Sequence, residues 1–168
     1  MANEVDAQRT FLVYDKKELR AIQGAFKAMT EEAQDAAKRE SSALAEYAGK
    51  EILKASYAAP NPKVASRVAK GFKVSKSSKV GELSFGFAGQ KFSGGATTQF
   101  NYAQQGGNGL LAGAEFGSKK YPQFAGRSPR YGRRGNEGYF IYPTLRALQP
   151  YLISQWENAF DRVLKEFN

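Results

Sequence analysis

The sequence predicts an α+β protein in which a small antiparallel sheet packs with a long N-terminal helix and a C-terminal amphipathic helix, with long Gly-rich loops between them. Three observations predict it. Helical periodicity is confined to the two ends, period-two alternation appears only in the middle, and 15 of the 17 glycines fall within 59–138. The length of 168 residues, with 42% apolar and 24% charged side chains, suits one domain with a buried core. A single domain over 1–168 is therefore expected, divided into a helical front (15–58), a basic Gly-rich centre (59–138) and a helical back (139–168).

In chain order, Thr10-Phe11-Leu12-Val13-Tyr14 reads as a strand, being too short for a helix. Asp15 then stands as an N-cap, with Glu18 three residues on as in a capping box and Tyr14 and Leu19 at the staple positions. Leu19, Ile22, Ala25, Phe26 and Met29 share one face, which predicts a helix over Lys16–Met29. Thr30 followed by Glu31-Glu32 restarts a helix with acids at its positive end, and Ala59-Pro60-Asn61-Pro62 stops it beyond Tyr57. Its face (Ala33, Ala37, Leu44, Ala48, Ile52, Ala55) is mostly alanine and admits another backbone closely. That face either lies on a sheet of the same chain or packs against a neighbouring subunit.

Val64 and Val68 predict one helical turn within 61–70. Phe72-Lys73-Val74 and Leu83-Ser84-Phe85-Gly86-Phe87 alternate with period two and predict a hairpin across the polar stretch 75–81. Residues 88–109 mix Gly, Gln, Ser, Thr and Asn with Phe92, Phe100 and Tyr102, as a strand inside a long loop or as an arm that orders on assembly. Residues 109–117 read as a strand of small residues, and 118–138 as a long loop without periodicity that orders on assembly. Tyr139-Phe140-Ile141-Tyr142-Pro143 returns the chain to the core. Pro143 and Pro150 both suit first-turn positions, so a short turn from Pro143, broken or kinked near Gln149, should precede a terminal helix over Pro150–Phe167. Leu152, Ile153, Trp156, Phe160, Val163, Leu164 and Phe167 form its apolar face, with Trp156 as core anchor.

Charge is unevenly distributed. Lys plus Arg is 25 and Asp plus Glu 16, a net of +9, yet 59–138 alone carries 13 basic and 3 acidic residues, a net of +10. Within it, Lys119, Lys120, Arg127, Arg130, Arg133 and Arg134 are interleaved with Tyr121, Phe124 and Tyr131. Such a block is either a set of solvated loops or a contact surface for DNA or an acidic protein. No helix-turn-helix, zinc-finger or RNP signature accompanies it, so any DNA contact should be to the backbone.

Other chemistry is excluded or weak. Without Cys or His there is no disulfide, no thiolate or imidazole metal site and no Ser-His-Asp or Cys-His machinery. Gly107-Asn108-Gly109-Leu110-Leu111-Ala112 matches a dinucleotide fingerprint on paper, but a Gln-rich stretch precedes it and a basic loop follows. There is no Walker A loop. Glu82, Glu115 and Glu137 stand singly among the bases of the centre and read as salt-bridge partners rather than a catalytic pair. No apolar run reaches the ~18 residues of a membrane span, and the acidic start Met1–Asp6 has no apolar stretch of a secretory signal. A non-enzymatic protein without cofactors or metals is expected.

Ala114-Glu115-Phe116-Gly117-Ser118, the Arg/Pro/Gly loop and Tyr139-Phe140-Ile141-Tyr142-Pro143-Thr144-Leu145-Arg146 resemble the tail-component family (tail completion, head–tail joining) of long-tailed double-stranded DNA bacteriophages. That family orders its parts as N-terminal amphipathic helices, strands, a Glu-Phe-Gly strand end, a variable loop, an aromatic-Pro-x-Leu turn and a terminal helix. The order matches over 15–168, while the recognisable words lie within about 110–150; the family's Thr-Gly-x-Leu segment is replaced here by Ser66-Arg67-Val68-Ala69. The resemblance implies a virion protein assembled in the bacterial host cytoplasm, forming a homo-oligomeric ring, expected as a hexamer, at the neck between capsid and tail. Its partners would be itself, adjacent neck and tail-tube proteins and the DNA backbone in the channel. Candidate subunit-packing residues are Ala37, Leu44, Ala48, Phe116, Tyr139, Phe140 and Trp156, and the six basic residues above are the candidate partner or DNA contacts. A tail-terminator ring and a sequence-independent nucleic-acid-binding module are the alternatives.

Overall fold

Thr30 starts the first long helix as its sequence requires: its hydroxyl accepts from Ala33 N at 3.4 Å, and Glu31 and Glu32 occupy the positive first turn. The computed structural model describes residues 20–21, 24–25, 27–75, 83–88, 110–131 and 135–167. In order, these form α1 (Glu31–Ser56), α2 (Pro62–Lys70), β1 (Phe72–Val74), β2 (Phe85–Phe87), α3 (Leu110–Phe116), β3 (Arg130–Tyr131), β4 (Gly135–Asn136) and α4 (Ile141–Phe167). The architecture is α+β. Of the helix expected over 16–29, residues 20–21, 24–25 and 27–29 are described: 20–21, 24–25 and 27 are helical, while Ala28 and Met29 form a turn and a bend before Thr30, so the helix ends earlier than expected. The rest of it, the strand at 10–14 and the stretches 76–82 and 89–109 lie outside the described residues.

The chain divides into two compact units. One comprises 1–47, 74–85 and 148–168, and its core joins the first part of α1 to the second part of α4. Ala33 and Ala37 meet Trp156 and Val163, flanked by Met29, Leu44, Phe160 and Phe167. Small side chains on α1 make room for the indole, which stacks on Phe160 with centroids 5.3 Å apart. Trp156 is 3% exposed, and its Nε1 donates to Ser41 Oγ at 3.0 Å, while Ser41 Oγ donates to Ala37 O. This half of the alanine stripe therefore packs within the chain, on a helix rather than on a sheet.

The other unit comprises 48–73 and 86–147. Here the end of α1 does meet sheet: Phe72 lies on Gly49, where an added Cβ would fall 2.3 Å from the ring. Phe72 also meets Phe87 edge-on at 5.7 Å, pairing β1 with β2 as the alternation predicts. Flanking bonds Ser75 N to Ser84 O and Ala88 N to Gly71 O close this antiparallel hairpin. The single turn expected at 61–70 is a full nine-residue helix, because Asn61 caps Val64 N at 3.4 Å, Pro62 sits in the first turn and Arg67 and Lys70 occupy the last. Its buried Ala65, Val68 and Ala69 pack toward α3.

Two expectations are corrected. Residues 110–116 are a helix, not a strand: Leu110, Ala114 and Glu115 are buried at i, i+4 and i+5, and Gly117 ends the helix in the left-handed region (φ 72°), donating to Gly113 O at 2.9 Å. The seven residues are too few for their period to separate from strand alternation. Helix α4 is also continuous from Ile141 through Pro150, rather than broken near Gln149. Pro150 is exposed, removes one backbone bond, and is flanked by the buried Leu145 and Leu152, whose packing holds the helix on both sides.

Candidate functional site

The two words of sequence that carry the resemblance meet in space through one carboxylate. Glu115, 1% exposed near the end of α3, lies against the start of α4. Its Oε2 accepts from Phe140 N at 3.1 Å and Ile141 N at 2.9 Å, and its Oε1 from Tyr142 N at 2.8 Å. These are N–H groups that a helix start leaves without intrahelical partners, and α4 has no acid of its own in its first turn. Gly138 makes the approach possible: with φ 80°, it leaves open the position where a Cβ would stand 2.1 Å from Glu115 Oε1. Burial pushes the Glu115 carboxyl above the ordinary Glu range, offset in part by N–H groups of Ile141, Tyr142, Phe140 and Tyr139 that favour its charged form. Glu115 is therefore a buried helix cap and not the salt-bridge partner expected of it. The signal in the sequence was indirect: α4 opens on aromatic residues that cannot cap it, so its cap had to come from elsewhere.

From this junction the chain makes a basic excursion and returns. Ser118 N donates to Ala125 O at 2.8 Å, and Ser128 N to Phe116 O at 2.9 Å, setting 116–118 beside 125–128. Gly117 and Gly126 come so close that a Cβ on Gly117 would fall 1.9 Å from Gly126 O. Ser118 Oγ accepts from Lys120 N and Tyr121 N, Phe124 covers Gly113, Asn61 Nδ2 donates to Gln123 O, and Tyr139 Oη donates to Gly126 O. Farther on, β3 pairs antiparallel with β4 (Arg130 with Asn136, Tyr131 with Gly135), while Ser128 Oγ accepts from Gly138 N. Arg146 on α4 lies 4.1 Å from the Tyr131 ring centroid and donates to Glu137 O. The described part of 118–138 thus carries turns and a short antiparallel strand pair bonded within the subunit, where the lack of periodicity reads as a long loop.

Of the candidate contact residues, Lys119, Lys120, Arg127 and Arg130 are exposed on this excursion, whereas Arg133 and Arg134 lie outside the described residues. Of the candidate subunit-packing residues, Ala37, Ala48, Phe140 and Trp156 are buried by their own chain; Leu44, Phe116 and Tyr139 are half-buried. The Phe116 ring lies 5.4 Å from that of Tyr142. Among the described residues no cluster of acids could hold a metal ion, and no helix is long and apolar enough to cross a membrane. No protein-family model matches this chain, and neither curated proteins nor solved structures match it. What the arrangement can do chemically is rigid presentation: one buried carboxylate fixes a helix start, and a stiffened turn holds cations outward.

Proposed function

We propose that this chain is a structural virion subunit of a tailed phage, forming an oligomeric ring at the neck or upper tail that joins the capsid connector to the tail. The observation that carries this reading is the junction at Glu115. Ala114–Ser118 and Tyr139–Arg146, the two words that resemble the phage tail-component family, form one physical unit in which the first caps the second. The two words meet through three hydrogen bonds, two buried and one part-buried. The reading is further supported by the described part of the excursion between them, whose backbone is held by turn and strand hydrogen bonds and whose Lys119, Lys120, Arg127 and Arg130 are exposed, as a surface meant for contact rather than for chemistry.

Native mass spectrometry over a concentration series tests the ring, and a closed homo-oligomer, a hexamer above all, is expected. A chain that stays monomeric at every concentration overturns a self-closing ring. Peptide mapping of purified phage particles tests the virion assignment separately: peptides of this chain are expected in the particle and in its neck–tail fraction, and their absence removes the assignment whatever the oligomeric state.

A further inference from the structure

Four cations project from one fixed stretch of backbone. Lys119 follows directly on the Ser118–Ala125 bond, Arg127 lies on the returning segment beside it, and Arg130 begins the short β3–β4 hairpin two residues after Ser128. With Lys120 all four are exposed, and none forms an ion pair with a described residue. The acids of the basic centre do not neutralise them: Glu115 is buried and engaged by backbone N–H groups, Glu137 is half-buried without an ion pair among the described residues, and Glu82 lies outside those residues. Tyr121 and Tyr131, the latter 57% exposed, stand among the cations, each with its ring faced by one, Lys120 at 5.3 Å and Arg146 at 4.1 Å.

We propose that residues 118–131 form a binding surface for the phosphate backbone of duplex DNA, engaged without reading its sequence. Unneutralised, pre-positioned cations with tyrosine hydroxyls between them are phosphate-contacting groups. The elements that carry them are turns and a two-residue strand, neither a helix nor a ribbon long enough to enter a groove and reach base edges. Duplex fits better than single strand because its charge is denser: each neutralised phosphate contributes a slope of about −0.9 in log K against log salt on duplex and about −0.7 on single strands. Four contacts then give slopes of about −3.6 and −2.8, so a fall from 200 to 50 mM salt strengthens duplex binding ~150-fold and single-strand binding ~50-fold. An acidic polypeptide has no comparable condensed counterion layer. The surface belongs to one subunit and does not depend on the ring reading.

The test is fluorescence anisotropy of a labelled random-sequence duplex with the full chain across a salt series. In the quadruple variant K119A/K120A/R127A/R130A the slope should flatten by about 3 to 4. The control R39A/K50A/K63A/K70A removes the same charge from exposed positions on α1 and α2 and should keep the wild-type slope. Because all four target side chains are exposed, an unchanged circular dichroism spectrum is expected, and the double variant K119A/K120A should give half the effect. The proposal is overturned if the quadruple variant changes the slope by less than about one, if the control flattens it equally, or if a single strand of equal length or polyglutamate displaces the duplex at equal charge concentration.

Discussion

Removing the Glu115 carboxylate should loosen the start of α4 more than any other single acid-to-neutral change among the described residues. Glu115→Ala leaves Phe140 N and Ile141 N, both on buried residues, and Tyr142 N on a half-buried one without their acceptor. An orphaned buried donor costs about 1–3 kcal/mol, and the two buried ones set a gross loss of about 2–6 kcal/mol. Relief of the buried charge offsets part of that, since burial already opposes ionisation there. A net loss of about 2–4 kcal/mol remains, a large share of the ~5–15 kcal/mol that holds a typical domain. Glu115→Gln should cost less but not recover: both oxygens are in use, so the amide must turn an N–H toward a backbone N–H. Urea unfolding followed by circular dichroism gives the magnitude, and hydrogen exchange at residues 140–142 gives its location. The sign of the pH dependence follows from the raised carboxyl: the folded state holds this proton more tightly than the unfolded chain, so Glu115's contribution is fully present below the ordinary value of 4.5 and is lost as pH rises through the raised one. The stability difference between wild type and Glu115→Gln should therefore be largest at low pH and narrow above it. A loss under about 1 kcal/mol in Glu115→Ala, or exchange at 140–142 unchanged from wild type, refutes the capping argument.

Two further outcomes follow from the packing. Gly117→Ala combines a left-handed φ of 72° with a Cβ 1.9 Å from a backbone oxygen, and should cost at least about 2 kcal/mol, read as a lower thermal midpoint; a midpoint within a degree of wild type contradicts the close approach. Trp156→Phe loses the buried bond to Ser41 and part of the indole's volume, for about 1–3 kcal/mol by urea unfolding, whereas Ser41→Ala strands the indole N–H and should cost a similar amount; neither change mattering would mean the bond is not formed in solution.

Elements with a local signature were legible in the sequence. Thr30-Glu31-Glu32 marks the start of α1, the alternation in Phe72–Val74 and Leu83–Phe87 marks the hairpin, and the aromatic face from Leu152 to Phe167 marks the second half of α4. What failed was nonlocal. Pro150 reads as a helix breaker until one sees Leu145 and Leu152 buried on either side of it. Leu110–Phe116 is a helix partly because Phe124 needs Gly113 and α4 needs Glu115, neither of which a seven-residue window contains. At the candidate site the charges of Lys119, Lys120, Arg127 and Arg130 were visible, but not the bonds from Ser118 and Ser128 that fix the backbone carrying them.

The cap at Glu115 also has a consequence for chain length. It closes a loop whose ends, Glu115 and Phe140, are 25 residues apart, and it closes that loop on core atoms rather than on the excursion itself. The entropy of closing a flexible loop grows only as the logarithm of its length, so doubling the excursion would add about 0.6 kcal/mol. The core on either side thus places little restriction on how long the segment between these words is. Lineages of this chain could recharge the turn to suit a different partner, or change its length away from the contacts of Ser118, Phe124 and Ser128, while α3 and the first turn of α4 stayed as they are.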